Sequence, residues 1–139
     1  MKPSDDIKNV LLRLYESESS SDINTFTQLF SRREGVLVIG TDPAEWWDGY
    51  EVISRVHEAQ LQELGESVKF QAVKVQAYEE GTTGWCAAYA LVLLPNGRKL
   101  PIRATAVFHQ EDGEWKIVQY HGSIGVPNDE AFGAKYTVK

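Results

Sequence analysis

The chain has 139 residues, 42% hydrophobic and 24% charged, with a formal net charge of −6, a length that predicts one domain burying about two-thirds of its unfolded surface. No Lys/Arg cluster exceeds two neighbours, so the clustered cations that hold nucleic-acid phosphates or an anionic membrane surface are missing, and neither is an expected partner. Cys86 is the single cysteine and no apolar run approaches the roughly 18 residues of a membrane span, so no internal disulfide, signal peptide or span is expected and the cytoplasm is the expected setting.

In chain order, Ser4-Asp5-Asp6 offers N-caps to a helix carrying Ile7, Val10, Leu11, Leu14 and Tyr15 on one stripe. The run Ser17 to Ser21 is expected to break it, because serines favour caps and turns. Asp22 then caps a short second helix with Ile23, Phe26, Leu29 and Phe30, ended by Arg32-Arg33-Glu34-Gly35. Val36-Leu37-Val38-Ile39 reads as a short buried strand stopped by the turn Gly40-Thr41-Asp42-Pro43. A third helix spans about Tyr50 to Leu64, its inward stripe Ile53, Val56, His57, Gln60, Leu61 and Leu64, with Gly65 at C′.

From Val68 the period becomes that of strands, Phe70, Ala72 and Lys74 alternating with Gln71, Val73 and Val75. Thr83 to Leu94 carries Trp85, Ala87, Tyr89, Leu91 and Leu93 on one face and Cys86, Ala88, Ala90, Val92 and Leu94 on the other. Both faces are apolar, so both need cover. Taking the small-residue face as the outer one, a second copy is expected to cover it, making a two-fold homodimer. Residues 99–124 form a hairpin around Asp112-Gly113. Positions 103 and 105 share a face, as do 119, 121 and 123. A strict two-residue loop sets Ala104 opposite His121, and a loop with an odd number of residues sets Arg103 there. The tail, about 127–139, is polar, with Phe132 and Tyr136 as candidate anchors. The expected class is α+β: three N-terminal helices on one face of a strongly curved, mainly antiparallel sheet, enclosing a cone-shaped cavity.

The element order, together with Leu29-Phe30, Ile39-Gly40-Thr41-Asp42-Pro43, Glu45-Trp46-Trp47, Gly49, Asp112-Gly113-Glu114-Trp115-Lys116-Ile117-Val118, His121 and Ser123, resembles the nuclear transport factor 2-like superfamily. More closely it is similar to the SnoaL-like and ketosteroid-isomerase-related branch, over about Asp6 to Gly125. That superfamily puts one cavity to use in isomerases, cyclases, dehydratases, ligand carriers and dimerisation modules, so the fold does not select the activity. The resemblance to ketosteroid isomerase implies a catalytic base at Asp42 and a phenolic donor near Tyr15. Its second donor, a protonated acid, falls on Thr105 or Ala104, so the full isomerase constellation is absent.

Asp42 has two readings: a general base raised in pKa by an apolar cavity, or a turn carboxylate bonding backbone amides two residues on. His121 reads as a proton shuttle or as a hydrogen-bonded histidine at the strand end or dimer face. Arg103 reads as an oxyanion or carboxylate clamp, or as one half of an ion pair. Tyr15, Trp46, Trp47, His57, Trp85, Tyr89, Thr105 and Tyr120 are the expected pocket lining for a small organic molecule. Asp42, Arg103 and His121 form the catalytic set if the protein is an enzyme, acting without a cofactor by proton transfer at a carbonyl compound. A dimerisation scaffold with a filled cavity is the remaining alternative. Three scattered histidines make no zinc signature, and no phosphate loop or nucleophile elbow occurs, so neither metal nor cofactor is expected.

Overall fold

A two-residue strand, β1 (Lys2–Pro3), leads into α1 (Asp5–Ser19), where the Ser4 hydroxyl accepts from the Ile7 N–H at 3.2 Å. The computed structural model describes residues 1–133. Ile7, Leu11, Leu14 and Tyr15 are buried along one stripe. The serine run ends the helix as expected, but only after Ser19, with Ser20 as C-cap and Ser21 in the left-handed region at φ 56°. Ser17 Oγ donates to the Leu14 carbonyl at 2.7 Å and Ser19 Oγ to the Tyr15 carbonyl at 2.8 Å. Hydroxyls bonded back to the preceding turn are satisfied within the helix and stop competing with it. Glu18 is thereby set one helical turn beyond Leu14, on the side that faces the sheet.

Asp22 caps α2 (Ile23–Gln28), accepting from the Thr25 N–H at 3.1 Å. Then come β2 (Leu37–Ile39), β3 (Trp46–Asp48), α3 (Tyr50–Leu64), the long strands β4 (Lys69–Glu80), β5 (Thr83–Leu93), β6 (Lys99–Glu111) and β7 (Glu114–Ser123), and the short α4 (Asn128–Phe132). Strand β3 lies where only a turn is expected. Because Gly40 N–H bonds the Glu45 carbonyl at 2.9 Å, the chain reverses tightly, and Val38 pairs with Trp47. The seven strands form one curved, open sheet in the order β1-β4-β5-β6-β7-β2-β3, antiparallel except for β2 beside β7. Helices α1–α3 lie on one face, as expected for this α+β class. Phe132 in the tail is 69% exposed, and Tyr136 lies outside the described residues.

The two faces of β5 are the reverse of the expected assignment. Gly84, Cys86, Ala88 and Ala90 are buried beneath the helices, while Ala87 and Tyr89 face outward. Small residues belong inside because α1 lies close against them: a Cβ on Gly84 would overlap Ile7 Cδ1 and stand 3.0 Å from the Tyr78 carbonyl oxygen. Two hydrogen bonds tie the ends of α1 along β4: the N-cap Ser4 N–H donates to the Ala77 carbonyl at 3.0 Å, and the Phe70 N–H donates to the Ser19 side-chain Oγ at 2.8 Å.

Two bulges set the registers. Ala72 pairs with Ala90 but Lys74 with Tyr89, so Val73 is extra and Lys74 turns outward. In the last hairpin the loop has two residues, Glu111 pairing with Glu114, yet the extra residue Val118 shifts the register beyond it. Thr105 therefore faces His121 and Arg103 faces Ser123, a register that neither loop alternative anticipates. The polar positions 103, 105, 121 and 123 do share one face. Replacing Gly84 by Ala is expected to lower stability by about 1–3 kcal/mol through overpacking against Ile7, as read from the urea midpoint at constant slope. An unchanged midpoint would mean that α1 does not rest on this strand.

Candidate functional site

The inner faces of β4–β7 widen away from Gly84 into a cavity of about 300 Å³ between sheet and helices. Leu14, Phe26, Phe30, Val38, Val92 and Ile102 form its buried wall, and Thr41, Glu45 and Leu64 stand at the wetter end. The lining is predominantly apolar with a few convergent polar groups, the composition of a small-molecule site.

Glu18 is the unanticipated group. Its side chain lines the cavity from the last turn of α1 and forms no hydrogen bond or ion pair with any described residue. Glu18 is half-buried, with its carboxyl oxygens still reached by solvent, and desolvation against the apolar wall pushes its carboxyl up from 4.5 to about 8. Its distance from Leu11 and Leu14, seven and four residues, continues the buried stripe of α1. That spacing is readable in the sequence, but the expected end of the helix over Ser17 to Ser21 does not say that the last turn still includes position 18.

Two phenols adjoin Glu18. Tyr15 Oη and Tyr120 Oη lie 3.1 Å apart in one hydrogen bond, and the Tyr15 ring stacks on Phe70 at 5.8 Å. Burial pushes the Tyr15 hydroxyl up to about 12, opposed by the bond to Tyr120, with Glu18 adding to the rise. Burial likewise raises Tyr120 well above the usual phenol range, with Tyr15 and Glu18 contributing. His57, on α3, lies between the Phe26 ring at 4.5 Å and the Trp47 ring at 5.0 Å. Its Nδ1 is 2.7 Å from the Ile53 carbonyl, which requires Nδ1–H as donor and leaves Nε2 as an acceptor. Burial lowers the His57 pKa, opposed by the Ile53 bond, so the ring is neutral at physiological pH.

The expected site residues divide between the two faces of the sheet and its edge. Trp47, His57 and Tyr120 line the cone, and Tyr15 reaches it through Tyr120. Asp42 does not: it lies in the exposed turn after β2, its carboxylate accepting from the Ala44 N–H at 2.8 Å. Trp46, adjacent to Trp47 in a strand, points the opposite way and is 64% exposed. Arg103, Thr105, His121 and Tyr89 face outward, around a shallow depression on the side of the sheet away from the helices. Trp85 is on that outer side too, stacked on Tyr78 at 6.5 Å. Asp42, Arg103 and His121 thus do not converge on the cone, because strand parity carries the latter two to the opposite face. Among the described residues no group of three His, Cys, Asp or Glu side chains is placed to hold a metal.

Three helices over a curved open sheet with a lined cone define the nuclear transport factor 2-like class, and solved structures agree. An NTF2-like protein of unknown function from Pseudomonas putida superposes with a TM-score of 0.81 over 99% of this chain and 100% of its own, at 12% identity. A cystatin-like-fold protein of unknown function from Nostoc punctiforme gives 0.75 over 90% and 96%, at 11% identity. A candidate dehydratase of the NTF2-like family from Streptomyces avermitilis gives 0.73 over 87% and 94%, at 18% identity. No curated protein matches the chain significantly. Residues 7–127 match the SnoaL-like domain model, and the chain belongs to that family.

The raised Glu18 pKa fixes the sign of a stability effect. Between about 4.5 and about 8 the unfolded chain releases this proton and the folded chain keeps it, so stability falls as pH rises through that window. Glu18→Gln is therefore expected to stabilise the protein more at pH 8 than at pH 5, measured by urea unfolding at both values. An equal gain at both values would mean that Glu18 ionises normally.

Proposed function

We propose that this SnoaL-like domain binds a small organic molecule in the cone, the observation carrying the reading being an apolar cavity that opens to water past Thr41 and Glu45. Trp47, His57 and Tyr120 supply aromatic surface and orientation, and Glu18 supplies the polar anchor. A neutral solvatochromic naphthalene dye, prodan, is expected to bind saturably at one site. Ile102→Trp, which fills the cavity, is expected to weaken binding at least about tenfold while leaving the far-ultraviolet circular dichroism unchanged. Equal binding by this folded variant would exclude the cone and favour a scaffold.

A second reading, cofactor-free proton transfer, is favoured by the Glu18 carboxyl, whose ionisation near neutrality suits a general acid–base. Here the role expected of Asp42 passes to Glu18, and the Tyr15–Tyr120 pair stands where an oxyanion donor is needed. Similarity to a candidate dehydratase at 18% identity supports only the fold of such an enzyme.

We also assign the outer face to a second copy of the chain, as a two-fold dimer. Lys74, Tyr89, Arg103 and Ser123 form one cross-strand row, and Gln76, Ala87, Thr105 and His121 the next. Tyr89 is 41% and Tyr78 38% exposed beside them, an unusual concentration of aromatic surface for a sheet left in water. Sedimentation velocity is expected to give a dimer, and Tyr89→Glu a monomer. A monomeric parent protein would overturn the assignment. The single buried Cys86 suits a reducing, cytoplasmic setting.

A further inference from the structure

The ionisable groups of the cone are acidic or neutral, and its neutral polar side chains, Gln60 and Thr41, can both donate and accept. Two carboxyl groups, Glu18 and Glu45, line it, and among the described residues no lysine or arginine does. Glu45 Oε1 is occupied by the Asp42 N–H at 2.9 Å, whereas Glu18 has no partner among the described residues. His57 offers Nε2 as an acceptor, because Nδ1–H is committed to the Ile53 carbonyl. The Tyr120 hydroxyl is committed to Tyr15. Around these acceptors stand the rings of Phe26, Phe30, Trp47, Phe70 and Tyr120, whose faces carry the negative end of the aromatic quadrupole.

An anionic ligand would set its charge against two carboxyl groups with no cation to balance it. A neutral ligand can share only an uncharged hydrogen bond with the protonated Glu18, about half as strong as a charge-assisted one. An ammonium group brings three donors and no acceptor, which complements Glu18, Glu45 and His57 Nε2, and its positive charge is attracted by carboxylate and ring faces alike.

We propose that the occupant of the cone is an organic cation, a protonated amine on an apolar body, whose ammonium group bonds Glu18 while the body fills the aromatic wall. This rests on the reading of the cone as a ligand site and adds the charge of the ligand. The proton balance is explicit. Near pH 7 the empty site holds Glu18 largely protonated, so binding of the ammonium ion converts the acid to carboxylate and releases its proton to solvent. Glu45 and His57 also face the cavity, and Tyr15 and Tyr120 stand behind Glu18. Both phenols stay protonated throughout this range, and His57 stays neutral.

The test is calorimetric titration of the whole protein with three ligands of one shape: phenylbutylamine, phenylbutanol and phenylbutyrate. The amine is expected to bind at least about tenfold tighter than the alcohol, with the carboxylate weakest. Its binding at about pH 7, compared in buffers of different ionisation enthalpy, is expected to release close to one proton, falling toward none by about pH 9. In Glu18→Gln the preference is expected to shrink to about twofold with the alcohol unaffected. If this variant fails to fold, ligand ranking and proton release in the parent protein decide the matter. Alcohol equal to amine, carboxylate equal to amine, or amine binding without proton release would each overturn the cationic ligand and leave the pocket standing. Failure of all three ligands while prodan binds would do the same. Failure of all three and of prodan would remove the pocket reading itself.

Discussion

The close contact of α1 with a sheet surface built from small residues is the constraint on which the rest of this molecule depends. Along the inner face of β5 the side chains run Gly84, Cys86, Ala88, Ala90 and Val92, small until the branched Val92. Gly84 lets the start of α1 lie close on β5, and Val92 stands taller at the other end. Two ties hold α1 along β4 at both ends. From Ser4 to Ser19 a helix rises about 22 Å, and from Phe70 to Ala77 a strand advances about 23 Å, so both ends of α1 meet their partners on β4. The cone is the space left by this taper, and the last turn of α1, with Glu18, overhangs its wide part.

That placement conflicts with stability. A carboxyl group facing hydrocarbon and phenols is costly to ionise, and nothing among the described residues compensates it. Cores seldom retain such a group without a ligand, a proton or a reaction to account for it. The neighbouring hydroxyls are satisfied by each other and the histidine by a backbone carbonyl, so Glu18 is the one ionisable side chain in the cone without a hydrogen bond or ion pair to a described residue. An apolar wall with one unspent acid is a selective environment, because the wall rewards size and the acid discriminates charge.

The two faces of the sheet carry different chemistry, and a single residue separates them. Val118 bulges out of β7, and beyond it every side chain of that strand changes side relative to a regular two-residue hairpin. Tyr120 consequently points into the cone, while His121 and its cross-strand neighbour Thr105 point out. Without that bulge His121 would line the cavity and Tyr120 would lie outside.

The sequence by itself determined the class of fold. Amphipathic stripes, the Asp22 cap and the Asp112-Gly113 turn are local signals that need only near neighbours to be decisive. It also named Trp47, His57 and Tyr120, which line the cone, and Tyr15, which bonds Tyr120 behind it. Tertiary structure alone decided which face of each strand is inside, because both faces of β5 are apolar and only the approach of α1 distinguishes small from large. It decided the strand β3, which exists through its partner Val38, and it separated His121 from the cone through a bulge that no local pattern announces, Arg103 through the parity of β6 and Asp42 through its exposed turn. Above all it decided Glu18. A glutamate in a serine-rich stretch reads as solvated surface, and becomes an acid in an apolar cavity only when the serines bond back into the helix and the sheet closes over it.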